Sequence, residues 1–205
     1  MSLLPIFVKL SGRLVVVVGG GAIAEGKIEG LVAAEARVRV VSPVVTPVIA
    51  QWIAQARVEW REKEFAQDDL EGAQLVIAAT SAPGVNETVF NAADARGILC
   101  NAVDDIEHCH FYYGAVVQRG DLQIAISTNG KSPALAQRLR LQLEKQFGHE
   151  YELWLGWLGA ARERLRAGTG SANARKLLLH RLASRPMFER FVREMRRPRA
   201  GRGGA

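Results

Sequence analysis

The residues best suited to chemistry are two neighbouring carboxylates, Asp104 and Asp105, which follow the apolar run that begins at Leu99. Parallel α/β sheets bind their ligands at the carboxyl ends of the strands, and a carboxylate placed there can take or hold a proton during a reaction. Position alone leaves a structural role equally open, because Asp often caps the turn that follows a strand. The pair is therefore a candidate acid–base site.

A glycine-rich stretch, GGGAIAEGK, begins at Gly19 and fits two nucleotide motifs at once. Gly19, Gly21 and Ala24 fit the dinucleotide fingerprint, in which they allow a tight turn, the approach of a pyrophosphate and close helix packing. The same letters fit most of a P-loop ending at Lys27, but a P-loop needs a hydroxyl at the next position to hold magnesium, and Ile28 stands there. The dinucleotide interpretation is favoured.

Ser42-Pro43 closes the second predicted strand, where dinucleotide-binding domains usually carry an acidic residue for the ribose hydroxyls. No carboxylate stands there to disfavour a 2′-phosphate, and no Arg follows directly to favour one. The residues by themselves leave the choice between NAD and NADP open.

A bound metal is not expected. His108, Cys109 and His110 form a run of three possible ligands, but neighbouring side chains alternate sides in an extended chain and no second cluster accompanies them. Cys100 and Cys109 are too few to form a disulfide framework.

The hydrophobic pattern predicts the scaffold that positions these residues. Short, apolar, β-branched runs alternate with segments of helical spacing, which indicates an α/β fold with a Rossmann-type doubly wound parallel sheet over about residues 10–110. The predicted strands are 14–18, 38–41, 58–62, 75–80 and 99–103, and the predicted helices are 24–34, 47–55 and 85–96.

The pattern changes after this sheet. Residues 115–118 and 122–127 predict a β-hairpin, and Ser132-Pro133 predicts the capped start of a helix over residues 133–147. Amphipathic spacing from Tyr151 onward predicts a C-terminal helical segment of three helices and then a disordered basic tail from Arg196. We expect three domains, residues 1–113, 114–150 and 151–205.

The net charge of +6 is concentrated near the C-terminus, where residues 160–205 hold thirteen Lys or Arg and three Glu. Because these basic residues alternate with apolar ones at helical spacing, a solvated helix face is favoured over nucleic-acid binding. No apolar run is long enough to cross a membrane and the N-terminus lacks the pattern of a signal peptide, so we expect a cytoplasmic protein.

Several motifs in order resemble one family. GGGAIAEGK, LVIAATSAPGVNETV and CNAVDDIEHCHFYYGAVVQRGDLQIAISTNGKSPALAQRLR are similar to the precorrin-2 dehydrogenases, including the N-terminal part of the siroheme synthases. The resemblance covers about residues 3–150, and ISTNGKSPALA is its most specific part.

The resemblance implies a function and a set of residues. It implies NAD-dependent oxidation of the tetrapyrrole precorrin-2 to sirohydrochlorin, with insertion of ferrous iron as a second activity of many members. It implies Asp104 as the catalytic aspartate, and a homodimer built by the hairpin and the helix after it. The fingerprint gives Gly19 and Gly21 as cofactor-binding residues, and the resemblance implies Ala22, Ile23, Ser42, Pro43 and Thr80 as further ones.

The loop from Thr128 to Ser132 is the candidate substrate-binding segment. Thr128, Asn129, Lys131 and Ser132 lead into a helix, and a lysine with free N–H groups suits the carboxylate arms of a tetrapyrrole. A simple helix cap after a hairpin is the structural alternative. For the whole chain, the alternative is a non-catalytic module that senses NAD or a tetrapyrrole and binds a partner through its basic tail.

Overall fold

The computed structural model describes residues 3–82, 84–168 and 170–197. The chain divides into two compact units, Leu3–Tyr113 and the segment from Gly114 onward. The predicted division into three domains stays a prediction. Within the described residues, no helix combines the length and the apolar character needed to span a bilayer.

A fully parallel, five-stranded sheet forms the first unit, in the order β3-β2-β1-β4-β5. The strands are β1 (Leu14–Val18), β2 (Arg37–Val41), β3 (Val58–Arg61), β4 (Leu75–Ala78) and β5 (Leu99–Ala102). The chain moves outward from β1 to β2 and β3, then returns to the other side of β1 for β4 and β5. This confirms the predicted doubly wound fold and puts the switch point, where such sheets bind ligands, between β1 and β4.

The valine run of β1 is explained by burial on both faces of the sheet. Val15 and Val17 pack into one hydrophobic cluster, while Val16 and Val18 pack into the other. Successive strand residues point to opposite faces, so a continuous apolar run is what a central parallel strand requires. The strand was therefore predictable to the residue.

Three helices cover the sheet, α1 (Ala22–Ala33), α2 (Pro47–Ala54) and α3 (Val85–Asp94), and short 3₁₀ turns span Gln67–Leu70 and Ile106–His108. α1 begins two residues before the predicted start at Ala24. Ala22 and Ile23 are exposed and Ala24 is the first buried residue of the helix. A burial pattern cannot reveal an exposed first turn, which accounts for the difference.

The edge of the sheet at β3 is held by a charge network around Asp69, whose side chain is 0 % exposed. Its carboxylate accepts from Arg61 Nη1 (2.7 Å), from Lys63 Nζ (2.9 Å) and from the Ala66 N–H (2.9 Å). Burial by itself would raise the pKa of Asp69, but the hydrogen bonds outweigh it and hold the pKa below its ordinary value. The network ties the loop after β3 to that strand.

The second unit begins with an antiparallel hairpin, β6 (Ala115–Arg119) and β7 (Leu122–Ile126), as predicted. α4 (Pro133–Gln146) follows, and Ser132 Oγ caps it by accepting from the Leu135 N–H (3.2 Å). Arg119 donates to the carbonyls of Glu144 (3.1 Å) and Phe147 (2.8 Å) at the other end of α4. The hairpin is thus fixed to α4 by hydrogen bonds to its last carbonyls.

Three further helices confirm the predicted C-terminal helical segment, α5 (Glu150–Ala167), α6 (Ala172–Leu182) and α7 (Arg185–Met195). Tyr151 and Trp154 of α5 pack against Phe188 of α7, with ring centroids 4.4 and 4.9 Å away. These rings join α5 to α7. Most of the predicted basic tail, residues 198–205, lies outside the described residues.

Candidate functional site

The three glycines of the turn between β1 and α1 have different surroundings. Gly19 has a φ of +116°, and a Cβ there would overlap the carbonyl oxygen of Ala79 after β4. A Cβ on Gly20 would overlap the carbonyl oxygen of Val44, in the loop after β2. A Cβ on Gly21 would meet no described atom within 4 Å. The first two glycines therefore serve packing, while the space beside Gly21 is left open.

This open space lies at the N-terminus of α1. Gly21 is the N-cap residue and gives no side-chain hydrogen bond, so the first N–H groups of the helix have no partner within the helix. Ile23 is 53 % exposed there. Free N–H groups and the positive end of the helix dipole suit a phosphate, and no Cβ blocks the approach. The turn therefore fits a dinucleotide pyrophosphate.

The P-loop alternative fails on packing as well as on residue type. Ile28 is 0 % exposed and belongs to the hydrophobic cluster that also contains Val15 and Val17. A residue at this position points into the core, away from the space where a magnesium ion would lie. Ala24 is equally buried against the sheet, which agrees with the close helix packing expected of it.

Ser42 and Pro43 follow β2, beside the glycine turn. Ser42 is buried, and its hydroxyl donates to the Val44 carbonyl at 2.7 Å. Its own carbonyl accepts from Trp60 Nε1 at 2.9 Å. Ser42 thus shapes the loop that lies against Gly20, while Pro43 is exposed.

Thr80 lies two residues after β4, next to the same turn. Its hydroxyl accepts from the Ala82 N–H (2.9 Å). The side-chain amide of Asn86 accepts from the Thr80 N–H (3.3 Å) and donates to the Thr80 carbonyl (3.2 Å). Asn86, which the sequence reasoning missed, therefore holds the backbone at Thr80 in place.

Asp104 stands exposed beyond the end of β5 and has a φ of +62°. Non-glycine residues in this region are uncommon, although Asp tolerates it better than most, and such residues cluster at functional sites. Asp104 shares the carboxyl edge of the sheet with Gly19 and Thr80, because β1, β4 and β5 are parallel. The structure thus brings the candidate catalytic and cofactor-binding residues to one edge.

The backbone under Asp104 is held by Asn101 and Cys109. Asn101 is buried, and its Nδ2 donates to the Phe111 carbonyl (2.9 Å) and to Cys109 Sγ (3.3 Å). Cys109 Sγ lies 3.1 Å from the carbonyls of both Ala102 and Asp105. Each contact joins the strand to the segment that returns past it. In the sequence, the signal for this structural role was the amide side chain of Asn101 inside the otherwise apolar run LCNA.

The two histidines are also engaged by the protein. His110 Nδ1 accepts from the Cys100 N–H (3.0 Å), which puts its proton on Nε2, 3.1 Å from Asp94. His108 Nδ1 lies 2.6 Å from Asp105. This hydrogen bond raises the pKa of His108 and lowers the pKa of Asp105. Among the described residues, no group of three or more His, Cys, Asp or Glu is arranged to hold a metal ion.

Neither thiol is activated. Burial raises the pKa of Cys100 to about 12, and burial also raises the pKa of Cys109. Both therefore stay protonated near neutral pH, and the burial of Cys100 and the hydrogen bonds of Cys109 Sγ assign them to structure.

The candidate substrate loop belongs to the second unit. Thr128 Oγ1 accepts from the Ser132 N–H and lies equally close to the Ser132 carbonyl, at 3.2 Å in both cases. Asn129 and Gly130 have positive φ values, 53° and 74°. Lys131 is exposed, and its N–H donates to the Thr128 carbonyl at 3.1 Å. Thr128 and Ser132 thus close the loop on itself ahead of α4.

Comparison with known proteins gives two family matches. The family described as "Putative NAD(P)-binding" matches residues 6–115, and the family described as "Sirohaem biosynthesis protein central" matches residues 119–146. The first match contains the glycine turn and Asp104, and the second contains the candidate substrate loop.

Siroheme synthase 1 of Serratia proteamaculans is 38 % identical over 171 residues, which cover 82 % of this chain and 36 % of that protein. The siroheme synthase of Photorhabdus laumondii is 39 % identical over 176 residues, 86 % of this chain and 37 % of that protein. The chain thus spans little more than a third of these relatives. Among solved structures, SirC, a precorrin-2 dehydrogenase, has a TM-score of 0.78 and is 27 % identical to this chain. The match covers 94 % of this chain and 98 % of SirC.

Proposed function

Because the chain belongs to the precorrin-2 dehydrogenase family, which includes the N-terminal part of the siroheme synthases, we propose that it oxidises precorrin-2 to sirohydrochlorin with NAD. The single observation that carries the proposal is the exposed carboxylate of Asp104 at the same sheet edge as the glycine turn. A hydride acceptor and a proton acceptor are the two groups that a dehydrogenation needs.

NAD supplies the hydride acceptor when it is bound. We assign its pyrophosphate to the N–H groups that follow Gly21, with Ala22 and Ile23 in contact. Ser42 and Pro43 would line the adenosine side, and Thr80 would face the nicotinamide side, where Asn86 fixes its backbone. The family description NAD(P)-binding supports the cofactor class.

Asp104 is the proposed catalytic residue. Removing two hydrogens from precorrin-2 releases one hydride and one proton, and the carboxylate of Asp104 accepts the proton. Its exposure leaves it accessible to substrate, while Asn101 and Cys109 prevent the backbone beneath it from relaxing. The left-handed backbone is therefore maintained by contacts outside Asp104 itself.

We assign the carboxylate arms of the tetrapyrrole to the loop containing Thr128, Asn129, Lys131 and Ser132. The exposed ammonium of Lys131 and the closed loop that Thr128 and Ser132 build support this assignment. Lys131→Met should raise the KM for precorrin-2 and leave NAD affinity unchanged. An unchanged KM would remove Lys131 from the binding site.

A homodimer is part of the proposal. Three apolar side chains are exposed in the single chain, Val116 of β6 and Leu135 and Leu141 of α4. A second copy of the chain would cover them in a dimer. Sedimentation of the wild-type protein and of Leu141→Glu tests the assignment. A monomeric wild-type protein at micromolar concentration would contradict it.

The decisive assay is anaerobic incubation of the purified protein with precorrin-2 and NAD, followed by the absorbance of sirohydrochlorin and NADH. Asp104→Asn should abolish turnover and keep NAD binding. Asp105→Asn is the matched control, because it removes the neighbouring carboxylate that pairs with His108. Folded wild-type protein that binds NAD without turnover would refute the enzyme and favour the sensing module.

Iron insertion and a cytoplasmic location stay predictions. Ferrous iron would be a substrate of the second activity, and adding ferrous or cobaltous ion to sirohydrochlorin with the protein tests it directly. The second activity is established if the wild type inserts the metal faster than the uncatalysed reaction and Asp104→Asn does not.

A further inference from the structure

Lys27, the residue that completed the apparent P-loop, is a half-buried ammonium without an acidic contact. It projects from α1, and its Nζ lies 4.0 Å from the centroid of the Tyr113 ring. In the described part of the chain, no hydrogen bond and no ion pair within 4.0 Å involves this side chain. The ring face is its one specific partner there.

Lys63 of the same unit, which is exposed, shows what a structural role looks like. Lys63 lies 2.9 Å from the buried carboxylate of Asp69 and completes that network. Lys27 has no such contact, although burial makes its charge costly and lowers its pKa. The face of an aromatic ring offsets only part of the cost of burying this ammonium, and no acidic contact offsets the rest.

The acidic group whose charge acts on Lys27 is Asp104, which favours the charged form of the lysine from beyond ion-pair distance. Lys27, in the second turn of the helix after β1, and Asp104, after β5, lie on different elements that meet at the carboxyl edge of the sheet. A half-buried ammonium without an acidic contact, at the same sheet edge as the proposed catalytic carboxylate, is suited to an anionic group of the substrate.

We propose that Lys27 binds a carboxylate of the tetrapyrrole and so orients the substrate against Asp104. This inference rests on the proposed function, since it takes the tetrapyrrole as the ligand. The other anion at this edge is the NAD pyrophosphate. The N–H groups of the first turn of α1 are the natural site for the pyrophosphate, whereas Lys27 lies in the second turn and its ammonium lies over the Tyr113 ring.

Direct binding tests the inference independently of turnover. Sirohydrochlorin and NAD are titrated separately into the wild type, Lys27→Met and Lys27→Arg. The signal is the change in tetrapyrrole absorbance or in protein fluorescence on binding. Lys27→Met should weaken sirohydrochlorin binding about 10- to 100-fold, as expected for one charge-assisted hydrogen bond, with NAD affinity changed less than about threefold. Lys27→Arg should retain most of the affinity.

Lys9→Met is the matched control, because it removes one positive charge from an exposed position in the N-terminal segment of the same unit. It should leave both affinities unchanged. The melting temperature of Lys27→Met should not fall, since the ammonium lacks an acidic contact and methionine keeps the apolar stem. Should Lys27→Met nevertheless misfold, the inference is overturned, because Lys27 then has a structural role.

Equal sirohydrochlorin affinity in Lys27→Met and the wild type also overturns the inference, whether or not the wild type turns over precorrin-2. Weakened NAD binding with unchanged sirohydrochlorin binding assigns Lys27 to the pyrophosphate and overturns it too. Failure of the proposed function has a different signature, namely no turnover by a wild type that binds NAD.

Discussion

The glycine turn offers a sharp test, because Gly19 and Gly21 are predicted to respond differently to one added methyl group. At Gly21 the methyl meets no described protein atom, and the backbone φ of −84° accepts alanine. Stability should fall by at most about 1 kcal/mol, since alanine is a poorer N-cap than glycine. The methyl would, however, occupy the space that a phosphate needs in order to reach the helix N–H groups.

Losing one charge-assisted hydrogen bond costs about 1.5–3 kcal/mol, so NAD affinity of Gly21→Ala should fall about 10- to 100-fold. Gly19→Ala should lose stability as well. Its positive φ costs alanine about 1–2 kcal/mol, and overlap with Ala79 adds about 1–3 kcal/mol, roughly 2–5 kcal/mol together. NAD titration and urea unfolding of both variants measure the two effects separately.

Gly26→Ala is the matched control within α1, because a Cβ there also meets no described atom. It should leave NAD affinity unchanged and add about 0.5–1 kcal/mol through helix propensity. Wild-type NAD affinity in Gly21→Ala would refute the assignment of the pyrophosphate. A stability loss in Gly21→Ala as large as that in Gly19→Ala would refute the packing argument.

Four further outcomes follow from single side chains. Asp69→Ala removes the buried carboxylate and should cost about 1–3 kcal/mol in urea unfolding at neutral pH, because Arg61 and Lys63 remain accessible to water. Because the pKa of Asp69 is lowered in the fold, its stabilisation is present above the ordinary carboxyl pKa and is lost as pH falls through the lowered pKa, so the gap between variant and wild type should shrink in acid. Asn101→Ala should cost about 1–3 kcal/mol and slow turnover, measured by unfolding and by the NADH assay. Asp104→Gly should abolish turnover and raise the melting temperature, because glycine relieves the positive φ; a lower melting temperature would make this turn residue structural. In NMR titrations, Asp105→Asn should bring the raised pKa of His108 back toward its ordinary value.

Local pattern was sufficient for the elements and for part of the site. β1 was predictable because a strand buried on two faces must be apolar throughout, and α4 because Ser132 and Pro133 mark a helix start by their own chemistry. Gly19 and Gly21 followed from the fingerprint. Asp104 was located by the end of β5, although the sequence left its role open.

The contacts between elements required the tertiary structure. The need for Gly20 comes from Val44, the role of Asn86 comes from the backbone of Thr80, and the role of Asn101 comes from the carbonyl of Phe111 in the segment that returns past β5. In the sequence, Lys27 completes an apparent P-loop. In the fold, its ammonium lies over the Tyr113 ring and is influenced by the charge of Asp104. Periodicity in a sequence reports which face of one element is buried. It carries no information on which residue of another element lies against that face, and only packing decides this.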